Sequence, residues 1–270
     1  MMRPPAILIL AGRRSAVPDP LAAAAGVGHK CLVPVAGQAM LGRVLETAAA
    51  AWSDAHLFVS IEDFDAVASE PTVARLHAAG RLSPVTAQST IADSVVEAAR
   101  ASGFPLVVTT ADNVLLTTDA LHALAAQGAK REDDAIVVVA RREDIQAAHP
   151  DGQRRFYEFK DVAISNCNLF WLGNDRALKA AETFRGGGQF AKHPGRIVKA
   201  FGVANLIAFR FRLATLDGLC RRISRRFGVR IRPMLMDDGR LAIDVDNERT
   251  LRVAEEILAR NQAPGTVAAA

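Results

Sequence analysis

The fold class this sequence predicts is a three-layer α/β domain with a mostly parallel sheet, and three observations predict it. The chain opens on a short unbroken apolar run, Ala6-Ile-Leu-Ile-Leu10, which stops at Ala11-Gly12. Similar apolar runs then alternate with stretches of helical spacing as far as Arg141. With 270 residues of which 50% are hydrophobic, there is material for one large core.

The first run has no polar alternation, as expected of a strand buried on both faces of a parallel sheet. Leu41, Val44, Leu45, Ala48 and Trp52 fall at helical spacing after the turn-like Ala36-Gly37, and His56 to Ser60 reads as a second strand. A helix carrying Ile91, Val95 and Ala99, a strand Leu106 to Thr110, a helix from Asp119 to Gln127 and a strand Ala135 to Val139 continue the rhythm. Such alternation places ligands at the carboxyl ends of the strands. Beyond Arg141 the rhythm breaks. Phe156 to Phe159 and Ile164 to Leu172 read as strands, followed by a helix ending near Phe184 and the cluster Gly186-Gly187-Gly188. Leu216, Leu219, Cys220, Ile223 and Phe227 mark one face of a helix whose other face carries Arg221, Arg222, Arg225 and Arg226. A last strand is expected over Leu241 to Val245, before a helix with Leu251, Ala254, Ile257 and Leu258. Residues 1–262 thus read as a single domain with a basic helical insertion at about 174–232, and residues 263–270 as a disordered tail.

The three cysteines, Cys31, Cys167 and Cys220, lie far apart with no zinc-like spacing, which argues against a disulfide framework and for a reducing cytoplasm. No apolar run is long enough for a membrane span. Net charge is +4, but between Arg176 and Arg232 fourteen Lys/Arg face only Glu182 and Asp217. That asymmetry points to an anionic partner, or else to a solvated basic face.

Three constellations carry chemistry. Leu10-Ala-Gly-Arg-Arg14 ends the first strand, and His29-Lys-Cys-Leu-Val-Pro-Val-Ala-Gly37 follows. A glycine there lets backbone amides approach a phosphate, and a returning lysine supplies charge. Thr109-Thr-Ala-Asp-Asn113 puts Asp112 at the carboxyl end of a buried strand, where a carboxylate suits Mg²⁺. Its competing role, capping the next helix, falls more naturally to Thr117, Thr118 or Asp119. Ala242-Ile-Asp-Val-Asp246-Asn247 is an acidic segment before the last helix, and Asp246 or Asn247 fits equally well as that helix's N-cap.

In this order, Leu-Ala-Gly, a lysine within Lys-Cys-Leu-Val-Pro-Val-Ala-Gly, Thr-Ala-Asp and Ile-Asp-Val-Asp-Asn resemble the NTP transferase superfamily. The likeness is greatest to its molybdenum-cofactor guanylyltransferase-like and sugar-phosphate nucleotidyltransferase branches, and it covers about residues 5–140 and 240–260. The resemblance implies a Rossmann-like nucleotide-binding half of the nucleotide-diphospho-sugar transferase type. It implies that Leu10, Ala11, Gly12, Arg13 and Arg14 cradle the NTP phosphates, that Lys30 stabilises charge on the α-phosphate, and that Asp112 and Asp246 hold Mg²⁺. Lys30 and Asp112 would be the catalytic residues. The stretch with Gln88, Ser89, Asp93 and Ser94 resembles the family's base-reading position, and its Gln88 and Asp93-Ser94-Val95 lean toward CTP or UTP over GTP. The sequence departs from the family where Arg13 replaces the usual second glycine, which keeps a catalytically inactive nucleotide-binding homologue, acting as a binding or regulatory protein, as the alternative.

The implied reaction is transfer of NMP from an NTP to a small phosphorylated acceptor with release of pyrophosphate, driven by positioning and electrostatics. Lys160, Asn166 and Asn168 are the candidate acceptor contacts, although a strand with polar residues facing solvent explains them equally well. A dinucleotide oxidoreductase is disfavoured because GxGxxG is missing after the first strand and no acidic residue ends Val59-Ser60-Ile61. Nucleic-acid binding is not expected, since the phasing of Phe201, Phe209, Phe211 and Phe227 suits core or lipid contact better than base stacking. The basic segment, residues 185–232, interleaves its charges with Phe201, Leu206, Ile207, Phe209, Phe211 and Leu213. This fits an interfacial helix pair resting on an anionic membrane, peripheral at the inner face. The competing expectation is that these apolar residues complete the core while the arginines surround a soluble, highly anionic substrate.

Overall fold

The computed structural model describes residues 4–13, 17, 19–130, 133–179 and 202–262. Arg14, the end of the helix expected near Phe184, the glycine cluster, Phe201 and the tail 263–270 lie outside them.

An eight-stranded sheet organises the chain. β1 (Ala6–Leu10) lies centrally, flanked by β4 (Leu57–Ile61) and β6 (Leu106–Thr110), both parallel to it; β5 (Leu82–Thr86) runs parallel to β4 at one edge. On the other side β9 (Ala163–Leu172) runs antiparallel between β6 and β7 (Ala135–Arg141). β10 (Ile231–Met236) then pairs in parallel with β7, and the short β8 (Tyr157–Glu158) folds back on β9. β2 (Pro34–Val35) and β3 (Gln38–Ala39) form a separate two-stranded ribbon. The unbroken apolar run of β1 has its expected cause, since Ile7, Leu8 and Ile9 are fully buried and divide between two core clusters on opposite faces.

One layer of helices contains α2 (Met40–Ala51) and α6 (Thr118–Lys130), packed on the Ile7 side, and α5 (Ile91–Ser102) covers the Leu8 side. Gly128 sits in α6 because a Cβ there would stand 2.3 Å from the Trp171 ring, so the helix comes close to β9 only with no side chain at that point. Short helices α1 (Pro20–Ala24), α3 (Asp65–Ala68), α4 (Pro71–Ala78) and α7 (Arg142–Ala148) fill connections, and α10 (Glu248–Gln262) closes the described chain.

Two expectations are corrected. Leu241 to Val245 is not a strand: a 3₁₀ turn occupies Gly239–Ala242, and extended backbone outside the sheet follows. The last strand of the sheet is instead β10, which starts at the end of the sequence read as basic insertion and runs on beyond it, because Ile231 and Met234 pack into the core while Arg232 pairs with Asp133. The basic stretch carries two helices, α8 (Val203–Arg210) and α9 (Leu216–Phe227). At the amino end of β7, Asp133 and Asp134 gather Arg176, Arg230 and Arg232, so part of the basic stretch neutralises buried carboxylates of its own chain.

Candidate active site

The carboxyl ends of β1 and β6, the 3₁₀ turn Lys30–Leu32 and the extended segment before α10 meet at one point. Lys30 Nζ donates to Asp112 Oδ2 at 2.8 Å and to Asp246 Oδ1 at 2.9 Å. The backbone N–H of Val245 donates to the Asp112 carbonyl at 3.0 Å, fixing the acidic segment against the end of β6. The cap question of the last helix resolves between neighbours: Asn247 Oδ1 accepts from Thr250 N at 3.2 Å, while the Asp246 side chain faces Lys30. Thr117 Oγ1 likewise accepts from Ala120 N at the start of α6, so Asp112 is not needed there.

Asp244 is the residue that sequence reasoning missed. Its carboxylate joins those of Asp112 and Asp246, with one ligand atom from each lying within 4.8 Å of the others. The signal was available: in Ile243-Asp-Val-Asp246 the two aspartates are two residues apart, and an extended backbone puts such residues on one side. Burial, followed by the charges of Asp112 and Asp246, pushes Asp244 up to about 7. Burial opposes the charge on Lys30, but Asp112 and then Asp246 outweigh it and hold its pKa above the ordinary lysine value. Asp112 Oδ1 is buried and has no hydrogen-bond partner among the described residues. Three clustered carboxylates, two of which share one ammonium, with one oxygen unsatisfied, form an oxygen donor set short of positive charge, and a hard divalent cation fits it.

Around this centre the other expected residues divide. Leu10 and Ala11 are tied into the sheet, since the Leu10 carbonyl accepts from Ala111 N and Ala11 N donates to Ser60 O. Gly12 is exposed beyond them, where a Cβ would stand 2.9 Å from Ala87 Cβ and 3.0 Å from Glu62 Oε1, so the loop keeps its close approach only as glycine. Arg13 N donates to Glu62 Oε1 at 2.6 Å, and the Arg13 guanidinium meets both ring nitrogens of His29, at 3.2 and 2.6 Å. Burial, then the Arg13 charge, lowers the His29 pKa, so His29 braces Arg13 as a neutral ring beside Lys30.

Gln88 and Ser89 are exposed at the loop before α5. Asp93 and Ser94 are engaged in its first turn: Thr90 Oγ1 donates to Asp93 Oδ2, and Ser94 Oγ accepts from Gln88 N at 2.8 Å. Asn166 Nδ2 donates to Asn168 Oδ1 at 3.0 Å, and Asn166 Oδ1 is buried with no partner among the described residues. Between them the Cys167 carbonyl accepts from Asn113 Nδ2, so this part of β9 adjoins the residue after Asp112. Lys160 is exposed on the β8–β9 connection, and its backbone N–H donates to Ala214 O.

The mostly parallel sheet has the nucleotide-diphospho-sugar transferase fold, and the family match places the chain among the nucleotidyltransferases. The family model of the MobA-like NTP transferase domain matches residues 7–189, and the chain belongs to that family. Among solved structures, a hypothetical transferase from Thermus thermophilus aligns with TM-score 0.74 and 23% identity, covering 93% of this chain and 100% of the other. CMP:2-keto-3-deoxy-manno-octonic acid synthetase complexed with CTP aligns with TM-score 0.57 and 12% identity, covering 95% and 98%. 4-Diphosphocytidyl-2C-methyl-D-erythritol synthase from Anaerococcus prevotii aligns with TM-score 0.57 and 10% identity, covering 94% and 96%. At these identities the likeness is one of fold. Among curated proteins no sequence match is found.

Proposed function

We propose that this chain is a magnesium-dependent nucleotidyltransferase that moves NMP from an NTP, CTP or UTP in preference to GTP, onto a small phosphorylated acceptor with release of pyrophosphate. The observation that carries this reading is the unsatisfied carboxylate centre at Asp112, Asp244 and Asp246, closed by Lys30. These three aspartates would hold the Mg²⁺, which when bound neutralises phosphate charge. Lys30 would turn from the carboxylates toward the α-phosphate, a shift of one flexible side chain. An acceptor phosphate oxygen then attacks the α-phosphorus in line and pyrophosphate leaves, with no protein nucleophile required. The exposed Gly12 turn and Arg13 would meet the NTP phosphates, Gln88 and Ser89 the base, and Lys160, Asn166 and Asn168 the acceptor. The preference for CTP or UTP draws on Gln88 and on fold neighbours whose names contain a cytidine nucleotide. The reading also includes a cytoplasmic enzyme whose basic segment, residues 185–232, contacts an anionic membrane peripherally.

One observation favours a second reading, an inactive nucleotide-binding homologue: the Glu62 carboxylate occupies the Arg13 amide that a phosphate would otherwise take. Pyrophosphate release measured across the four NTPs, with a panel of phosphorylated sugars and alcohols and with and without Mg²⁺, separates the two. Turnover with one NTP and one acceptor supports the enzyme. Nucleotide binding with no pyrophosphate from any pair would leave the inactive homologue standing.

A further inference from the structure

α9 carries arginines along one face, yet its apolar face is not available to lipid. Leu216 packs with Val139 and Ile164, and Leu219 with Ala208 and Ala214, with Cys220 and Ile223 partly buried beside them. What remains uncovered is a small apolar tip. Phe211 and Leu213, in the turn between α8 and α9, are 65% and 66% exposed; Ile207 on α8 and Tyr157 on β8 are 49% and 58% exposed. The other exposed large hydrophobics among the described residues, Val17, Ile91 and Leu235, belong to other elements. Contacts tie together the elements that carry them: the Tyr157 and Phe209 rings lie 6.3 Å apart, Arg212 pairs with Glu158 next to Tyr157, and Phe211 N donates to Ile207 O at the end of α8.

The surroundings of the tip are cationic. The Arg210 guanidinium stands 6.0 Å from the Phe211 ring centre, and Arg155 and Lys160 are exposed on the neighbouring strand connection. Farther along, Arg221, Arg222 and Arg225 are exposed on α9 and form no ion pair among the described residues. Exposed apolar groups with exposed cations on the same helices match the boundary between acyl chains and anionic headgroups. A second copy of the chain fits this surface poorly, because a two-fold contact would place each basic rim against itself. Ile207 and Leu213 also offer a nucleic acid no stacking face.

We propose that the tip formed by Tyr157, Ile207, Phe211 and Leu213 inserts into the headgroup region of an anionic membrane, with the surrounding arginines holding it there. This rests on the peripheral contact within the proposed function and specifies its anchor. β8 leads into β9, which carries Asn166 and Asn168, so docking by the tip would bring the candidate acceptor contacts toward the lipid surface and suit a phosphorylated lipid precursor or headgroup alcohol as acceptor.

The test uses the full chain with vesicles of phosphatidylcholine alone and of phosphatidylcholine mixed with phosphatidylglycerol, in co-sedimentation. It needs no turnover, so its failure is separable from failure of the enzymatic reading. The native protein is expected to bind only the mixed vesicles, and less at raised salt. Phe211→Ser with Leu213→Ser should weaken partitioning by on the order of tenfold or more, because the anchoring apolar area is removed. A Phe211→Trp variant should show a blue shift of its emission on mixed vesicles and none on neutral ones. Absence of native binding, binding indifferent to the double substitution, or no shift from the tryptophan would overturn the proposal. So would a dimer in gel filtration that the double substitution dissociates, since a second copy would then cover the tip.

Discussion

Two groups of aspartates lie at opposite ends of the same sheet, and they are treated in opposite ways. At the amino end of β7, Asp134 is nearly inaccessible and fully provided for: Arg230 N at 2.7 Å, Asn174 Nδ2 at 2.8 Å and the Arg176 guanidinium at 3.2 Å all meet its oxygens. Its neighbour Asp133 accepts from Arg232 Nε at 2.8 Å. Burial disfavours the Asp134 charge, but these hydrogen bonds and arginines outweigh it and hold its pKa below the ordinary carboxylate value. At the carboxyl end of β6, three carboxylates cluster but only Asp112 and Asp246 reach Lys30, Asp112 Oδ1 has no partner among the described residues, and Asp244 is driven upward. A charge cluster that serves the fold arrives complete, whereas one that serves a ligand keeps a deficit for the ligand to fill.

The contrast is broken most sharply by replacing one aspartate at each end. Asp112→Asn should lower turnover by a factor on the order of 10³ or more while leaving the melting transition close to native, since a partly exposed isostere at a strand end removes no core volume. Near-normal pyrophosphate release from that variant would sink the assignment. Lys30→Ala should cost turnover a factor on the order of 10² to 10³, about 3 kcal/mol, with a much smaller loss in NTP binding. Equal losses in both would reduce Lys30 to an anchor.

Asp134→Ala should do the reverse. Loss of its buried hydrogen bonds is expected to destabilise by about 2 to 3 kcal/mol in urea unfolding, with kcat of the folded enzyme unchanged. The response to pH has opposite signs at the two ends. Asp244 is raised from its ordinary 3.8 to about 7, so between those values the native chain holds a proton that the unfolded chain has released. Stability in metal-free buffer should therefore fall as pH rises through that window, and Asp244→Asn should flatten the decline. Asp134, held low, contributes stability above its unfolded value that is lost on acidification. Urea midpoints measured across pH for the native protein and both variants check the two slopes; a decline retained in Asp244→Asn would assign it to another group.

Much of this was legible in sequence because one physical cause dominated each legible element. β1, β4, β6 and β7 are buried on both faces and so read as plain apolar runs. β5 gave no such signal, since it lies at the sheet edge and carries Pro84, which is tolerated where no further ladder has to form. β10 was hidden by Arg232 and Pro233, whose charge and ring suggest a surface loop until Asp133 is known to be waiting for the arginine. The segment at Leu241 misled in the other direction: Leu241, Ile243 and Val245 are all buried and alternate like a strand, yet they pack without joining the sheet. Lys30, Asp112 and Asp246 were found by their order along the chain and meet within hydrogen-bonding distance. Glu62 and His29 were not, because their importance lies in which distant residue each one faces, and Asp244 was passed over although its spacing from Asp246 places the two on one side.

The hydrogen bond from Val245 to the Asp112 carbonyl also bears on how the protein comes into being. It joins residues on opposite sides of β7, β9 and the whole basic region, so a ribosome must deliver that length of chain before the acidic pair can reach the end of β6. Long-range closures of this kind form late in folding. The parallel half of the sheet can be laid down while the chain is still emerging, but the carboxylate cluster around Lys30 is completed only when the residues around Val245 arrive.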